Sequence, residues 1–255
     1  LGVDADVGGA HTSGEVRFSP TADRIDRILS DFRAAFERGR LAPSEAAKLR
    51  GRLFFALSTA YGAVGRAATL PLVQRQYRDT DYGFRAGDDL HHSLLFFEAL
   101  LPSLRDGTSL VIPVVPPARR PLLVYTDAAF WLRRTRQRVS GACDVSHSSR
   151  LRGGLGAVIF DPEDGSVRYA AGEPDWAVLL ASWPGDRKTY IAQLETLAAI
   201  AVYFTYPDVF AGRAVNHFVD NAVALSALVN GYAGKADLAK MVNIFYLQSA
   251  GLCTP

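Results

Sequence analysis

The apolar positions change period along the chain. Over residues 1–18, Val3, Val7, Val16 and Phe18 alternate with polar neighbours around Gly8-Gly9 and Ser13-Gly14, the pattern of two edge strands joined by a turn. After Ser19-Pro20 the spacing lengthens. Ile25, Ile28, Leu29, Phe32 and Phe36 recur at helical intervals until Gly39 stops them, which predicts a helix. A second helix opens at Pro43-Ser44-Glu45 with Leu49, Leu53, Phe54, Leu57 and Tyr61 on one face, and pairs antiparallel with the first. A third follows Asp88-Asp89, carries Leu90, Leu94, Leu95, Phe97 and Leu101, and is expected to end near Pro102.

Between 102 and 121 the pattern breaks. Asp106-Gly107, Pro113 and the run Pro116-Pro117-Ala118-Arg119-Arg120-Pro121 are incompatible with a regular helix, and the domain boundary is placed there. Beyond it, strands are predicted over 122–125, 154–160 and 167–171, with a hairpin turn through Asp161-Pro162-Glu163-Asp164-Gly165. A long apolar helix over 191–206, a buried strand over 214–219, a helix over 222–229 and more helix over 235–248 complete the order. A strand meander followed by alternating helix and strand predicts an α/β class, a mixed sheet covered by helices.

Composition narrows this picture. With 255 residues, 49% of them hydrophobic, and a mean hydropathy of +0.05, the chain can bury proper cores, and its length favours two domains. A net charge of +2 excludes a uniformly basic nucleic-acid-binding surface, so any such contact must come from local patches. Only Lys48, Lys188, Lys235 and Lys240 among the 28 basic residues are lysines; the rest are arginines, whose forked donors suit phosphates. Cys143 and Cys253 lie far apart with no histidine at ligand spacing and read as free thiols. No apolar run approaches the roughly 18 to 20 residues that cross a bilayer, and the opening Leu-Gly-Val-Asp-Ala-Asp is not a signal peptide. The expectation is an intracellular protein, cytoplasmic or nuclear and not secreted, with no membrane partner. Lacking an initiator methionine and stopping just after a helical pattern, the chain reads as a fragment of a longer protein.

The candidate chemistry is carried by carboxylates at the polar ends of apolar elements. Asp127 follows Leu-Leu-Val-Tyr-Thr, Asp220 follows Val-Asn-His-Phe-Val, and Glu195 lies in Gln-Leu-Glu-Thr-Leu-Ala-Ala-Ile, amid residues that favour burial. A buried carboxylate costs several kcal/mol, roughly, unless cations or strong donors meet it. Hard divalent cations with oxygen ligands, Mg2+ first and Mn2+ second, fit such a cluster. Structural roles remain open for each residue: Asp127 beginning a turn before Ala128, Asp220 capping a helix at Ala222, and Glu195 pairing with Arg187 or Lys188.

Taken in order, Tyr125-Thr126-Asp127-Ala128-Ala129, Gly154-Leu155-Gly156-Ala157-Val158, Ala192-Gln193-Leu194-Glu195-Thr196-Leu197-Ala198 and Phe218-Val219-Asp220-Asn221-Ala222-Val223-Ala224-Leu225 resemble the ribonuclease H domain of retroelement reverse transcriptases. The resemblance covers about residues 121–250. It implies a ribonuclease-H-like mixed sheet flanked by helices over 121–255, truncated at its C-terminal side. Upstream, Leu1-Gly2 and Leu49-Arg50-Gly51-Arg52-Leu53 resemble what precedes this domain in tyrosine-recombinase-type retrotransposon polymerases: the end of a palm hairpin over 1–18 and a mainly helical thumb or connection region over 19–115. The implied activity is hydrolysis of the RNA strand of an RNA/DNA hybrid by two Mg2+ ions held on Asp127, Glu195 and Asp220. Asn221 is the implied nucleic-acid contact beside them, and the implied partners are the hybrid and the remainder of the polymerase polypeptide.

The departures from the family matter equally. Its fourth acidic residue lies after a further strand, which this chain does not reach; an insertion over 130–152 separates the first two strands; and the polymerase's own aspartates are absent, so this segment alone cannot synthesise DNA. A catalytically silent ribonuclease-H-like module that only positions nucleic acid is the alternative. An integrase or transposase of the same superfold is disfavoured, because there the glutamate comes last.

Within the insertion, Arg133, Arg134, Arg136 and Arg138 beside Trp131 are candidate phosphate contacts, or else a solvated loop. His147 in the same insertion reads as a loop residue, His91-His92 as surface or capping residues, and His217 as structural, on the opposite side of its strand from Phe218. Gly153-Gly154-Leu155-Gly156 is not a phosphate loop, because a strand follows where a helix is required. Arg24, Arg27, Arg38 and Arg40 are interleaved with Asp23, Asp26, Asp31 and Glu37 and read as an ordinary charged helix face.

Overall fold

A computed structural model of the chain describes residues 2–77, 82–106, 110–114, 119–132, 151–183 and 189–252. It divides into two compact units, Leu1–Ala118 with Asn230–Gly251, and Arg119–Val229 with Leu252–Pro255.

The first unit opens with β1 (Val3–Asp6) and β2 (Glu15–Pro20), the antiparallel pair that the alternating pattern predicts. Helix α1 (Ala22–Arg38) turns Ile25, Ile28, Phe32 and Ala35 inward and ends where Gly39 takes a left-handed φ of 58°, a conformation that glycine adopts without steric penalty. Helix α2 (Pro43–Leu57) starts with proline in its first turn, and the Glu45 carboxylate accepts from the Ala42 N–H at 2.9 Å. Its inward stripe differs from the expected one. Ala46, Leu49, Leu53, Ala56 and Leu57 are buried, Phe54 is 40% exposed, and Tyr61 lies beyond the helix end, because alanines complete the stripe and displace the larger ring outward.

The short α3 (Leu70–Gln76) has no clear signal in the sequence. Helix α4 (Asp89–Asp106) runs through Pro102 instead of ending there. Proline removes one backbone donor, but Leu100, Leu101 and Leu104 are buried on either side of it and hold the continuation. Leu95, expected inward, is 42% exposed. Strand β3 (Leu110–Pro113) then pairs with β2, making a three-stranded antiparallel sheet in the order β1-β2-β3.

The second unit is the mixed sheet that the sequence predicts. Strands β4 (Leu122–Leu132), β5 (Leu151–Phe160) and β6 (Val167–Gly172) form an antiparallel meander. Helices α5 (Trp176–Ser182), α6 (Ile191–Thr205) and α7 (Pro207–Phe210) lead to β7 (Val215–Val219), which lies parallel to β4, giving the order β6-β5-β4-β7. Helix α8 (Ala222–Asn230) follows.

Strand β4 is longer than the 122–125 expected, because Trp131↔Arg152 and Leu132↔Leu151 still pair. The ends of the expected 130–152 insertion are therefore strand, and Arg133, Arg134, Arg136, Arg138, Cys143 and His147 lie outside the described residues, as do Arg187, Lys188 and Cys253. Along β4, Leu122, Val124, Thr126 and Ala128 are buried while Tyr125 and Trp131 are exposed, so one face is packed and the other open. Helix α6, with Leu194, Ala198, Val202 and Tyr203 buried, packs against β4 and β5. Phe130, Trp176, Trp183 and Tyr190 form a ring cluster, Trp183 stacking on Tyr190 at 5.9 Å, and this fixes the start of α6.

Two guanidinium–carboxylate hydrogen bonds, Arg213 Nη1 to Asp161 Oδ2 at 2.8 Å and Nη2 to Oδ1 at 3.1 Å, tie the β5–β6 turn to the entry of β7. The Arg213 hydrogen bonds hold the Asp161 carboxyl down at about 2.

The chain then returns to the first unit. Helix α9 (Ala236–Gly251) buries Leu238, Ala239, Met241 and Val242, and Gly231, at φ 63°, approaches Ala63 so closely that a Cβ there would stand 2.1 Å from the Ala63 Cβ. From the sequence, 121–255 reads as one domain; in the structure its 230–251 stretch groups with the first unit. Among the described residues no helix is long and apolar enough to cross a membrane.

Candidate metal centre

The parallel pairing of β4 and β7 ends at Thr126↔Val219, so Asp127 and Asp220 stand just past the last bonded pair, side by side on adjacent strands. Glu195 enters from the second turn of α6. One carboxylate oxygen from each of Asp127, Glu195 and Asp220 lies within 4.8 Å of the other two. The structure thus brings together the three acids that the sequence singles out, from three separate elements.

The structural alternatives considered for Asp127 and Asp220 are not what the structure shows, while that for Glu195 involves Arg187 and Lys188, outside the described residues. Asp127 sits inside β4 and begins no turn. The cap of α8 is Asn221, whose Oδ1 accepts from the Val223 and Ala224 N–H groups at 3.0 Å each, and this leaves the Asp220 carboxylate for the cluster. That cap also engages the Oδ1 of a residue expected to contact nucleic acid.

Glu195 is the unusual member. It is 2% exposed, its Oε1 accepts from the Ala128 N–H at 3.2 Å, and its Oε2 is buried and meets no N–H or hydroxyl donor among the described residues, its side-chain neighbour being the Asp127 carboxyl. Burial pushes its carboxyl up to about 7; the Ala128 N–H opposes the rise, and the neighbouring Asp220 and Asp127 charges and a carboxyl–carboxylate hydrogen bond with Asp127 add to it. Hard divalent ions take oxygen ligands, and one buried carboxyl beside two exposed carboxylates is a donor set that could hold one.

Beneath the acids lies a neutral support that residue patterns alone do not reveal. The Thr126 Oγ1 lies 2.9 Å from His217 Nε2, and the Tyr203 hydroxyl 3.4 Å from His217 Nδ1. Burial drives the imidazole down to about 4, so it is uncharged at neutral pH and adds no competing cation to the cluster. His217 faces the packed side of β7 and Phe218 the open side, where it stacks on Tyr125 at 4.7 Å. No protein-family model matches the chain, and no curated protein matches it.

Proposed function

We propose that this chain is part of a retroelement reverse transcriptase, with helical thumb or connection elements ahead of a ribonuclease H domain that cuts the RNA strand of RNA/DNA hybrids. The observation that carries this reading is the convergence of Asp127, Glu195 and Asp220 within 4.8 Å, with Glu195 buried. The order of those acids along the chain, aspartate, glutamate, aspartate, separates the reading from integrase-like chemistry.

Asp127, Glu195 and Asp220 would hold Mg2+, or Mn2+ in its place. A pair of such ions orients an attacking water and stabilises the leaving oxygen of a phosphodiester. The protein's own contribution is placement. The Ala128 N–H fixes one Glu195 oxygen, Asn221 caps α8 and leaves Asp220 free, and the ring cluster around Tyr190 sets the register of α6 that aims Glu195 at the two aspartates.

The test is cleavage of a labelled RNA/DNA hybrid with Mg2+, compared with Asp127→Asn. Cleavage by the wild type and none by the variant is the expected result. Hybrid binding without cleavage in the wild type would instead identify a silent positioning module, and neither binding nor cleavage would refute both.

A further inference from the structure

Three polar side chains lie on the packed face of the sheet under the acidic cluster, and each comes from a different one of the elements that carry an acid. Thr126 of β4 immediately precedes Asp127, His217 of β7 stands shortly before Asp220, and Tyr203 of α6 follows Glu195 by roughly two helical turns. Thr126 and Tyr203 are 5% and 4% exposed; Val124, the pairing partner of His217, and Phe210, against the Tyr203 ring, are wholly buried. Polar groups in such a layer are costly unless hydrogen-bonded, and apolar side chains would fill it as well.

The imidazole joins the three. His217 Nε2 lies 2.9 Å from Thr126 Oγ1, and His217 Nδ1 lies 3.4 Å from the Tyr203 hydroxyl, whose ring is braced by Phe210 at 4.3 Å between centroids. An uncharged imidazole offers one N–H and one lone pair, and a hydroxyl complements either, so one ring can bond to both elements at once.

The tie to Thr126 falls where the sheet needs it. Parallel pairing of β4 and β7 ends at Thr126↔Val219, and His217 pairs with Val124, so the side-chain contact crosses the end of the ladder diagonally. Past that point no bonded pair joins the two strands, and there the carboxyl oxygens of Asp127 and Asp220 lie within 4.8 Å of each other and of Glu195. Ionised carboxylates this close repel, which pushes their elements apart. A tie that spans both strands and the helix opposes that push.

We propose that His217 is a positioning residue for the cation site: bonded to Thr126 and Tyr203, it holds β4, β7 and α6 at the spacing at which Asp127, Asp220 and Glu195 can share an ion. Facing the packed side, it acts through the elements it ties and ligates nothing itself. The proposal rests on the metal-binding part of the nuclease reading and adds what sets the spacing of the acids.

The test is calorimetric titration of the full chain with Mg2+ at pH 8, using Thr126→Val, Thr126→Ser and Tyr203→Phe. Valine keeps the shape and removes the hydroxyl; serine keeps the hydroxyl and removes a methyl. Each weakens the packed layer, by a lost buried hydrogen bond or by a small cavity, but only valine cuts the tie. Mg2+ affinity should fall roughly tenfold in Thr126→Val and about threefold in Tyr203→Phe, whose contact is longer, and stay within about twofold of wild type in Thr126→Ser, although urea unfolding shows both Thr126 variants to be less stable. Valine and serine variants that lose affinity together would show the layer to act by packing alone and overturn the proposal, as would valine and phenylalanine variants that bind as tightly as wild type. Wild type that binds no Mg2+ would overturn the cation site itself, and the nuclease reading with it. Tyr203→Phe leaves the strands untouched and decides the matter should Thr126→Val not fold.

Discussion

Replacing Glu195 by glutamine should make the metal-free protein more stable at pH 8. Its carboxyl titrates at about 7 in the folded state against an ordinary value of 4.5, chiefly because it is buried and then because Asp220 and Asp127 are near. A raised carboxyl stabilises the fold below its unfolded value and loses that contribution as pH rises through the folded one. At about 1.4 kcal/mol per tenfold of proton affinity, ionising Glu195 at pH 8 costs the fold about 3 kcal/mol. Glutamine keeps the Oε1 acceptor for the Ala128 N–H and gives the aspartates a donor without a charge.

His217 works in the opposite sense. Its folded value of about 4 lies below the ordinary 6.5, so its contribution is present above pH 6.5 and is lost as pH falls through 4. In the wild type the two trends offset each other between about pH 5 and 6.5 and the stability curve is flat there. In Glu195→Gln only the histidine trend remains, and stability falls with acidity. All three tryptophans, Trp131, Trp176 and Trp183, belong to the second unit, so urea unfolding followed by tryptophan fluorescence in EDTA reads that unit alone. A Glu195→Gln protein less stable than wild type at pH 8, or a variant curve as flat as wild type from pH 5 to 6.5, would refute this account of the site.

Further outcomes follow from the same geometry. Mg2+ binding at pH 6.5 must ionise Glu195 and should release between half a proton and one, falling to none at pH 8.5; calorimetry in buffers of different ionisation enthalpy measures this, and equal release at both pH values would exclude Glu195 as a ligand. Arg213→Met should cost about 3 kcal/mol of second-unit stability by stranding Asp161, and the added Asp161→Leu should recover most of it; a single variant within about 0.5 kcal/mol of wild type would show the pair to be idle. Gly153→Ala should destabilise by roughly 1 to 3 kcal/mol through overpacking against Trp176 and Leu194, measured by the same fluorescence unfolding. Leu94→Ala, at a fully buried position of α4, should cost about 2 to 5 kcal/mol in the first unit, read by far-ultraviolet circular dichroism and leaving the tryptophan transition in place.

What the sequence discloses depends on whether a residue's role is local. The α1 stripe of Ile25, Ile28 and Phe32 and its stop at Gly39 are local properties, and so is the turn Asp161-Pro162-Glu163-Asp164-Gly165 between β5 and β6; each is legible from neighbouring residues alone. Phe54, Leu95 and Pro102 misled because their fate is settled by neighbours distant in sequence: small alanines complete the α2 stripe, and buried leucines carry α4 past its proline. Strand β3 was illegible for the same reason, since four residues become a strand only when β2 offers an edge.

The acidic site divides along this line as well. The three carboxylates stand out because charge interrupts apolar runs, and that is a sequence property. The roles they take are not, because that requires knowing that Asn221 and not Asp220 caps α8, and that Glu195 is buried against the Ala128 N–H. Gly153, Gly154 and Gly156 make the same point most sharply. Identical in sequence terms, they face alternate sides of one strand, and only the register separates a glycine that the fold requires from two that packing leaves unexplained.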